Sequence, residues 1–377
     1  MSDNTQFRTE KIQKMLSVLQ PWYRENGRSL PWREDPTPYH VWVSEIMLQQ
    51  TRIETVIPYY RRFTEELPDI RALAECDPER LQKLWEGLGY YSRVRNLRTA
   101  AEQIMNGFGG RFPESYGEIR SLCGIGDYTA GAIASICFDL PCPAVDGNVL
   151  RVLARITADP RPVSGEKIKQ EVRKELADAY LAADRGAGSC GVLTQAIMEL
   201  GETVCLPNGV PDCARCPCRD FCACSPDGGE SWQSYPVREE KKARRAEQLT
   251  VFLLRSSIPG DSSPDGCRTA IRRRPKQGLL GGMWEFPNLP CRLSRAEALS
   301  QAEKWGCAPL SCAGERSARH IFTHVEWEMR CFEIICGAEG GKADGTNDLI
   351  WVSSRQLDES VSLPTAFRKL LGQNKHN

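Results

Sequence analysis

The sequence contains no apolar run long enough to cross a bilayer. Its first six residues, Met1-Ser2-Asp3-Asn4-Thr5-Gln6, show no basic stretch leading into an apolar one, so this start does not read as a secretory signal. Net charge is absent too, because 49 Lys and Arg offset 49 Asp and Glu. That excludes a surface coated in basic residues but leaves room for local patches. Candidate patches are Arg93 with Arg95 and Arg98, Arg151 with Arg155, and the run Lys241-Lys242-Ala243-Arg244-Arg245. Charge groups of this kind are more often solvated faces than binding sites. There is no internal repeat and no long low-complexity tract. We expect a soluble, globular protein of a reducing compartment.

Cysteine, by contrast, is plentiful. Seventeen is an odd number and cannot all pair, and a chain of 377 residues does not need disulfides to fold. Four of them follow metal-ligand spacing, Cys205-x7-Cys213-x2-Cys216-x5-Cys222. Four thiolates so close in sequence can wrap one metal centre, and both zinc and a [4Fe–4S] cluster accept such a set. Cys218 and Cys224 leave alternative ligand choices open. Cys76, Cys137, Cys190 and Cys267 are scattered and read as small buried apolar residues.

Hydrophobic residues make up 41% and charged residues 26%, which permits a folded core, and the length suits two domains or three. Up to about residue 224 the periodicity is helical, for example over 11–20, 39–51, 78–85, 129–137 and 148–156. In the last of these Val149, Val152, Leu153 and Ile156 share one face, with Arg151 and Arg155 elsewhere. We therefore expect an all-α domain over 1–224. Residues 225–247 are polar, charged and glycine-containing, and read as a linker. Beyond it, 249–254, 269–271, 329–335 and 349–352 are short and rich in β-formers, while 295–305 and 364–371 look helical. That predicts an α/β domain over 248–377.

Two local patterns carry chemistry. In Leu122-Cys123-Gly124-Ile125-Gly126-Asp127-Tyr128-Thr129-Ala130, two glycines around one apolar residue make a tight turn into a helix. Backbone N–H groups at such a turn suit a phosphate, here from Gly124, Ile125 and Gly126. The second pattern is a pair of carboxylates in different settings. On a helix, Glu45 has Val41, Trp42 and Leu48 as neighbours, and an apolar setting keeps a carboxyl protonated. Asp146, in Val145-Asp146-Gly147-Asn148, stands just before a helix, whose dipole and N–H groups favour the ionised form. One acid and one anion are what glycoside cleavage requires. Taken singly, Glu45 reads as a surface glutamate and Asp146 as an ordinary N-cap.

The motifs Leu30-Pro31-Trp32-Arg33, 43–51, Gly87-Leu88-Gly89-Tyr90-Tyr91-Ser92-Arg93 and 145–149 together change that weighting. With the glycine turn and the cysteine spacing, they resemble the MutY-type adenine DNA glycosylases of the endonuclease III, helix-hairpin-helix superfamily, over residues 28–222. The resemblance implies excision of adenine mispaired with 8-oxoguanine or guanine in double-stranded DNA, by a monomer. It also implies a [4Fe–4S] cluster on Cys205, Cys213, Cys216 and Cys222, with Arg215 and Arg219 offered to phosphate. Glu45 would protonate adenine and later assist water. Asp146 would stabilise, or bond to, the sugar centre, supported by Tyr128 and Asn148. Arg28, Leu30, Trp32, Arg33, Thr51 and Glu199 would contact the adenine, and Gln50 and Tyr90 would fill and wedge the duplex. Bifunctional relatives carry a lysine where this chain has Tyr128, so base removal without efficient strand cleavage is expected. Three departures stand out: the first cysteine interval is seven rather than six, Cys123 replaces a proline, and Thr323 replaces a serine.

The C-terminal part resembles the Nudix-like recognition domain of the same family. A Nudix hydrolase needs a glutamate-dense helix for magnesium, but residues 295–305 carry only Glu297 and Glu303. A binding domain without hydrolase activity is expected, with Phe322, Thr323 and His324 reaching the oxidised guanine. The implied location is cytoplasmic, with the nucleoid in a bacterium. Two other readings compete: a glycosylase for another lesion, and a non-catalytic iron–sulfur DNA-binding regulator. Tyr128 argues against the first, and Glu45 with Asp146 against the second.

Overall fold

A computed structural model describes residues 3–183, 190–227, 229–239, 244–257, 267–275, 277–322, 324–343 and 347–371. Thr323 and Lys241, Lys242 and Ala243 of the basic run lie outside these residues. Contacts divide the chain into two compact units, Met1–Glu75 with Asn96–Lys241, and Cys76–Arg95 with Lys242–Asn377.

Every regular element described in the first unit is helical. The helix Gly147–Thr157 shows why. Asp146 caps its N-terminus, accepting from the Asn148 and Val149 N–H groups, and Ala158 ends it in the left-handed region at φ 48°. Its face of Val149, Val152, Leu153 and Ile156 is buried against the helices Asp3–Asn26, Glu166–Ala182 and Cys190–Thr203. Each such side chain withdrawn from water contributes about 1.5–3 kcal/mol. Arg151 and Arg155 are buried as well, at 3% and 4% exposure. They are not a basic patch. Arg151 donates to the carbonyls of Cys205 and Gly201, and Arg155 to those of Leu206 and Tyr235. A buried guanidinium persists only where its N–H groups are satisfied in this way.

Part of the stretch expected to be a linker packs onto this unit. Trp232 lies under the Arg155 guanidinium, 5.3 Å from ring centre to Cζ, and Val163 N–H donates to the Val237 carbonyl at 3.0 Å.

In the second unit the strand Arg245–Ser257 runs parallel to Val325–Cys336 and antiparallel to Cys267–Arg273. Leu249, Val251 and Leu253 enter one apolar cluster and Phe252 and Leu254 another, so the strand is covered on both faces. The helix Arg295–Lys304 supplies Ala298 and Ala302 to one face, and Leu357, Phe367 and Leu370 cover the other. Pro309–Ile321, a strand the sequence patterning did not predict, pairs among the described residues with Val325–Cys336, at the sheet edge. Its alternating burial hides small or polar residues, so it offers no apolar run to read. The segment 76–95 joins this unit through Glu86, which accepts from Leu363 N–H at 3.1 Å and Arg368 Nε at 2.5 Å. Arg93 of the first candidate patch is buried and donates to the Leu88 and Gly89 carbonyls, so it too is structural.

Candidate active site

Glu45 stands on the helix Pro38–Leu48, which starts with Thr37 accepting from His40 N–H at 3.2 Å. Val41, Trp42, Ile46 and Met47 bury this helix, and Glu45 is carried inward with them to 7% exposure. Its Oε2 accepts no hydrogen bond. Burial pushes the carboxyl up to about 7; the Tyr128 hydroxyl opposes this, nearby Asp146 adds to it and Arg33 opposes it. A carboxyl in this state keeps a proton to give near neutral pH.

Asp146 is arranged differently. Its Oδ1 accepts from the Asn148 and Val149 N–H groups at 2.9 Å each, and Oδ2 from Asn148 Nδ2 at 3.1 Å. These donors hold its proton affinity down, as does Arg151, but burial outweighs them and the net direction is upward. The backbone donors expected to favour the ionised form are present, but burial opposes them, so both carboxyls are raised, Glu45 against the Tyr128 hydroxyl and Asp146 against two backbone N–H groups.

Glu199, on Cys190–Thr203, is fully buried. It accepts from Arg28 Nε at 2.5 Å and Nη2 at 3.2 Å, and from Arg33 Nη2 at 2.9 Å. Its carboxyl is lowered: burial raises it, and the two guanidiniums more than offset that. Arg33 also lies over Tyr23, 5.4 Å from the ring centre.

These groups line one cavity of about 380 Å³. It brings together Arg28, Leu30, Trp32, Arg33, Glu45, Gln50, Thr51, Tyr128, Asp146, Asn148 and Glu199, all named from the sequence. It also includes Gln195, Met198 and Glu202, which sequence reasoning missed. Their signal was available, because 195, 198, 199 and 202 fall on one helical face once Glu199 is chosen. Gln50 is exposed and holds φ at 57°, an uncommon state for a residue with a Cβ.

The glycine turn joins the helices Tyr116–Ser121 and Asp127–Phe138. Gly124 has φ 76°, and a Cβ there would lie 2.6 Å from Asn96 Cβ, so the position requires glycine twice over. The Ile125 N–H donates to the Leu122 carbonyl at 3.1 Å, which commits it to the turn itself. Gly126 is the N-cap of the second helix, with open space where a Cβ would stand.

Cys205, Cys213, Cys216 and Cys222 line a second, apolar cavity of about 30 Å³, together with Val152, Ile156, Leu200 and Trp232. Cys224 lines it as a fifth thiol, whereas Cys218 is buried against Cys216. Among the described residues no three His, Cys, Asp or Glu converge as they would on a single ion. Arg215 and Arg219 are exposed, paired with Asp212 at 3.8 Å and Asp227 at 3.1 Å.

Residues 43–178 match the family model for HhH-GPD superfamily base excision DNA repair proteins, and 263–373 that for the NUDIX domain. An adenine DNA glycosylase of Buchnera aphidicola subsp. Acyrthosiphon pisum (strain APS) is 36% identical over 94% of this chain and 96% of its own length. That of Rattus norvegicus is 31% identical over 93% of this chain and 76% of its own. The chain belongs to the adenine DNA glycosylase family. It also spans 65% of the Arabidopsis thaliana adenine DNA glycosylase, at 32% identity. A solved thermostable thymine-DNA glycosylase shares the fold, with TM-score 0.51 and 22% identity, over 57% of this chain and 96% of its own. The protein is therefore a base-excision DNA glycosylase, a hydrolase of N-glycosyl bonds, with a Nudix-type C-terminal domain.

In this glycosylase the C-terminal unit has its own cavity, of about 700 Å³, lined by Tyr90, Leu280, His320, Phe322, His324 and neighbouring backbone. Tyr90 is exposed and, like Gln50, has a positive φ, 50°. Phe322 is wedged between His320 and Trp327, at 4.6 and 4.9 Å between ring centres. Glu285, which follows the glycine-rich 278–282 stretch, is held by Arg272, Arg274 and Asn288, and Glu297 caps its own helix through Ser294.

Proposed function

We propose that the protein hydrolyses the N-glycosidic bond of adenine paired with 8-oxoguanine or guanine, without efficient strand cleavage. The observation that carries this reading is the single cavity in which protonatable Glu45 and hydrogen-bonded Asp146 stand together, with Tyr128 and no amine at position 128. Glu45 gives its proton to the departing adenine. The C–N bond electrons leave with the base, and the sugar acquires the positive charge that Asp146 faces. Glu45, now ionised, takes a proton from the water that adds to the sugar. Adenine reaches the cavity only when turned out of the stack. The Glu199-bound guanidiniums of Arg28 and Arg33 stand beside the bound base, and Leu30 and Trp32 supply its apolar wall.

Gln50 and Tyr90, each exposed with a strained positive φ, are the groups that fill and wedge the duplex. The C-terminal cavity of Tyr90, Phe322 and His324 serves recognition of the oxidised guanine, with Thr323 beside it in sequence, and no hydrolase step is assigned there. The cysteine cavity suits a [4Fe–4S] cluster, held by Cys205, Cys213, Cys216 and Cys222. Four thiols lining one apolar cavity are a donor set that such a cluster takes. When bound, the cluster supplies structural support to the loop that offers Arg215 and Arg219 to phosphate. Gly124 and Gly126 present amides to a second phosphate. The protein acts on double-stranded DNA as a monomer in the cytoplasm.

The test is single-turnover excision from a duplex containing adenine opposite 8-oxoguanine, read with and without alkali, beside a duplex carrying a damaged pyrimidine. Product from the adenine duplex that appears only after alkali is the expected result. Alkali-independent cleavage of the pyrimidine duplex would replace this reading with another lesion specificity.

A further inference from the structure

The helices Gly147–Thr157 and Cys190–Thr203 meet where Gly201 faces Asn148. A Cβ on Gly201 would lie 2.9 Å from Asn148 Cβ, so the glycine permits the close approach. Arg151 pins the contact by donating from Nη2 to the Gly201 carbonyl at 2.8 Å. The next residue is Glu202, which this contact sets at the cavity that holds Glu45 and Asp146. Asn148 then stands between two carboxylates, with Nδ2 donating to Asp146 Oδ2 at 3.1 Å and to Glu202 Oε1 at 2.7 Å. A side-chain amide nitrogen carries two N–H groups, and here each has a carboxylate acceptor. With both engaged, the amide plane is fixed, and so is the donor it offers to Asp146.

We propose that Glu202 is a positioning residue for base excision: acting through Asn148, it holds the amide that orients Asp146, and its charge adds to the anionic field at the sugar. Glu202 exchanges no proton in the reaction. Its role strengthens as positive charge develops on the sugar, which is when an anionic field lowers the barrier. The charged and titratable groups facing Glu202 are Asp146, Arg151, Tyr128 and Arg28. Among these, removing its charge makes Asp146 easier to ionise, so the acid limb of the rate profile moves to lower pH.

The inference rests on the adenine-excision reading above. It is tested by single-turnover excision from the duplex with adenine opposite 8-oxoguanine, using wild type, E202Q, E202A, N148A and E202A/N148A, each across pH and each with its thermal midpoint. In the Asn148 background E202A slows the saturated rate by about tenfold or more, with half-saturating DNA unchanged and the thermal midpoint held. In the N148A background the same change costs less than about threefold, because the route is already cut. E202Q shifts the acid limb to lower pH. Equal losses in both backgrounds, or a wild-type rate and acid limb in E202A and E202Q, overturn the assignment while excision by the wild type stands. An inactive wild type overturns the excision reading and this assignment with it.

Discussion

Glu45 and Asp146 face one cavity in opposite hydrogen-bonding states: Glu45 Oε2 is buried without a partner, while Asp146 Oδ1 accepts two backbone N–H groups at 2.9 Å. In the proposed reaction the first carboxyl gives its proton to the departing base and the second faces the cation on the sugar. Glu45→Gln keeps the shape and removes the proton donor, so excision falls about 10³-fold while duplex affinity is retained. In the wild type the rate declines as pH rises through about 7, where Glu45 ionises. Single-turnover rates across pH check both, and an E45Q enzyme with wild-type rate would end the proposed mechanism.

The same burial makes Glu45 costly to the fold. Its carboxyl is raised from 4.5 to about 7, so the folded state prefers the proton more than the unfolded state does. Stability is then full below pH 4.5, is lost progressively up to about 7, and stays reduced above that. The loss is on the order of 3 kcal/mol. Glu45→Gln has no such loss. Thermal denaturation will show E45Q more stable than wild type at pH 8 and close to it at pH 4; equal midpoints at both would contradict the burial argument.

Glu199 accepts from two guanidiniums and is fully buried. Glu199→Gln removes the buried carboxylate that both Arg28 and Arg33 bind, at a cost of about 3 kcal/mol. Urea denaturation measures this directly. A change below about 1 kcal/mol would mean that solvent already screens the pair.

Protein purified without oxygen is expected to contain iron and acid-labile sulfide together. Cys213→Ser should lose both and loosen the strap that carries Trp232, which packs against the same cavity. Metal analysis and limited proteolysis around residues 229–239 provide the readout. A colourless protein with stoichiometric zinc would refute the cluster.

Much of this site was legible in the chain. The carboxylates sit in short motifs whose neighbours set their environment: apolar residues one turn away from Glu45, and a helix start after Asp146. The cysteine spacing is local for the same reason. What sequence reading misjudged was burial that depends on distant partners. Arg93, Arg151 and Arg155 looked like solvated or DNA-facing charge, yet each satisfies backbone carbonyls inside its unit. Pro309–Ile321 escaped notice because an edge strand with polar alternation has no apolar signature.

The sequence by itself marked the helical and α/β parts, the turn at Gly124, the cysteine spacing and the local settings of Glu45 and of Asp146, since each is written in residues close to it along the chain. Only the tertiary structure decided which charges are buried, that both carboxyls are raised, and that Asn148 is held between Asp146 and Glu202. Desolvation and hydrogen bonding act through space, and the Gly201–Asn148 approach joins residues more than fifty positions apart.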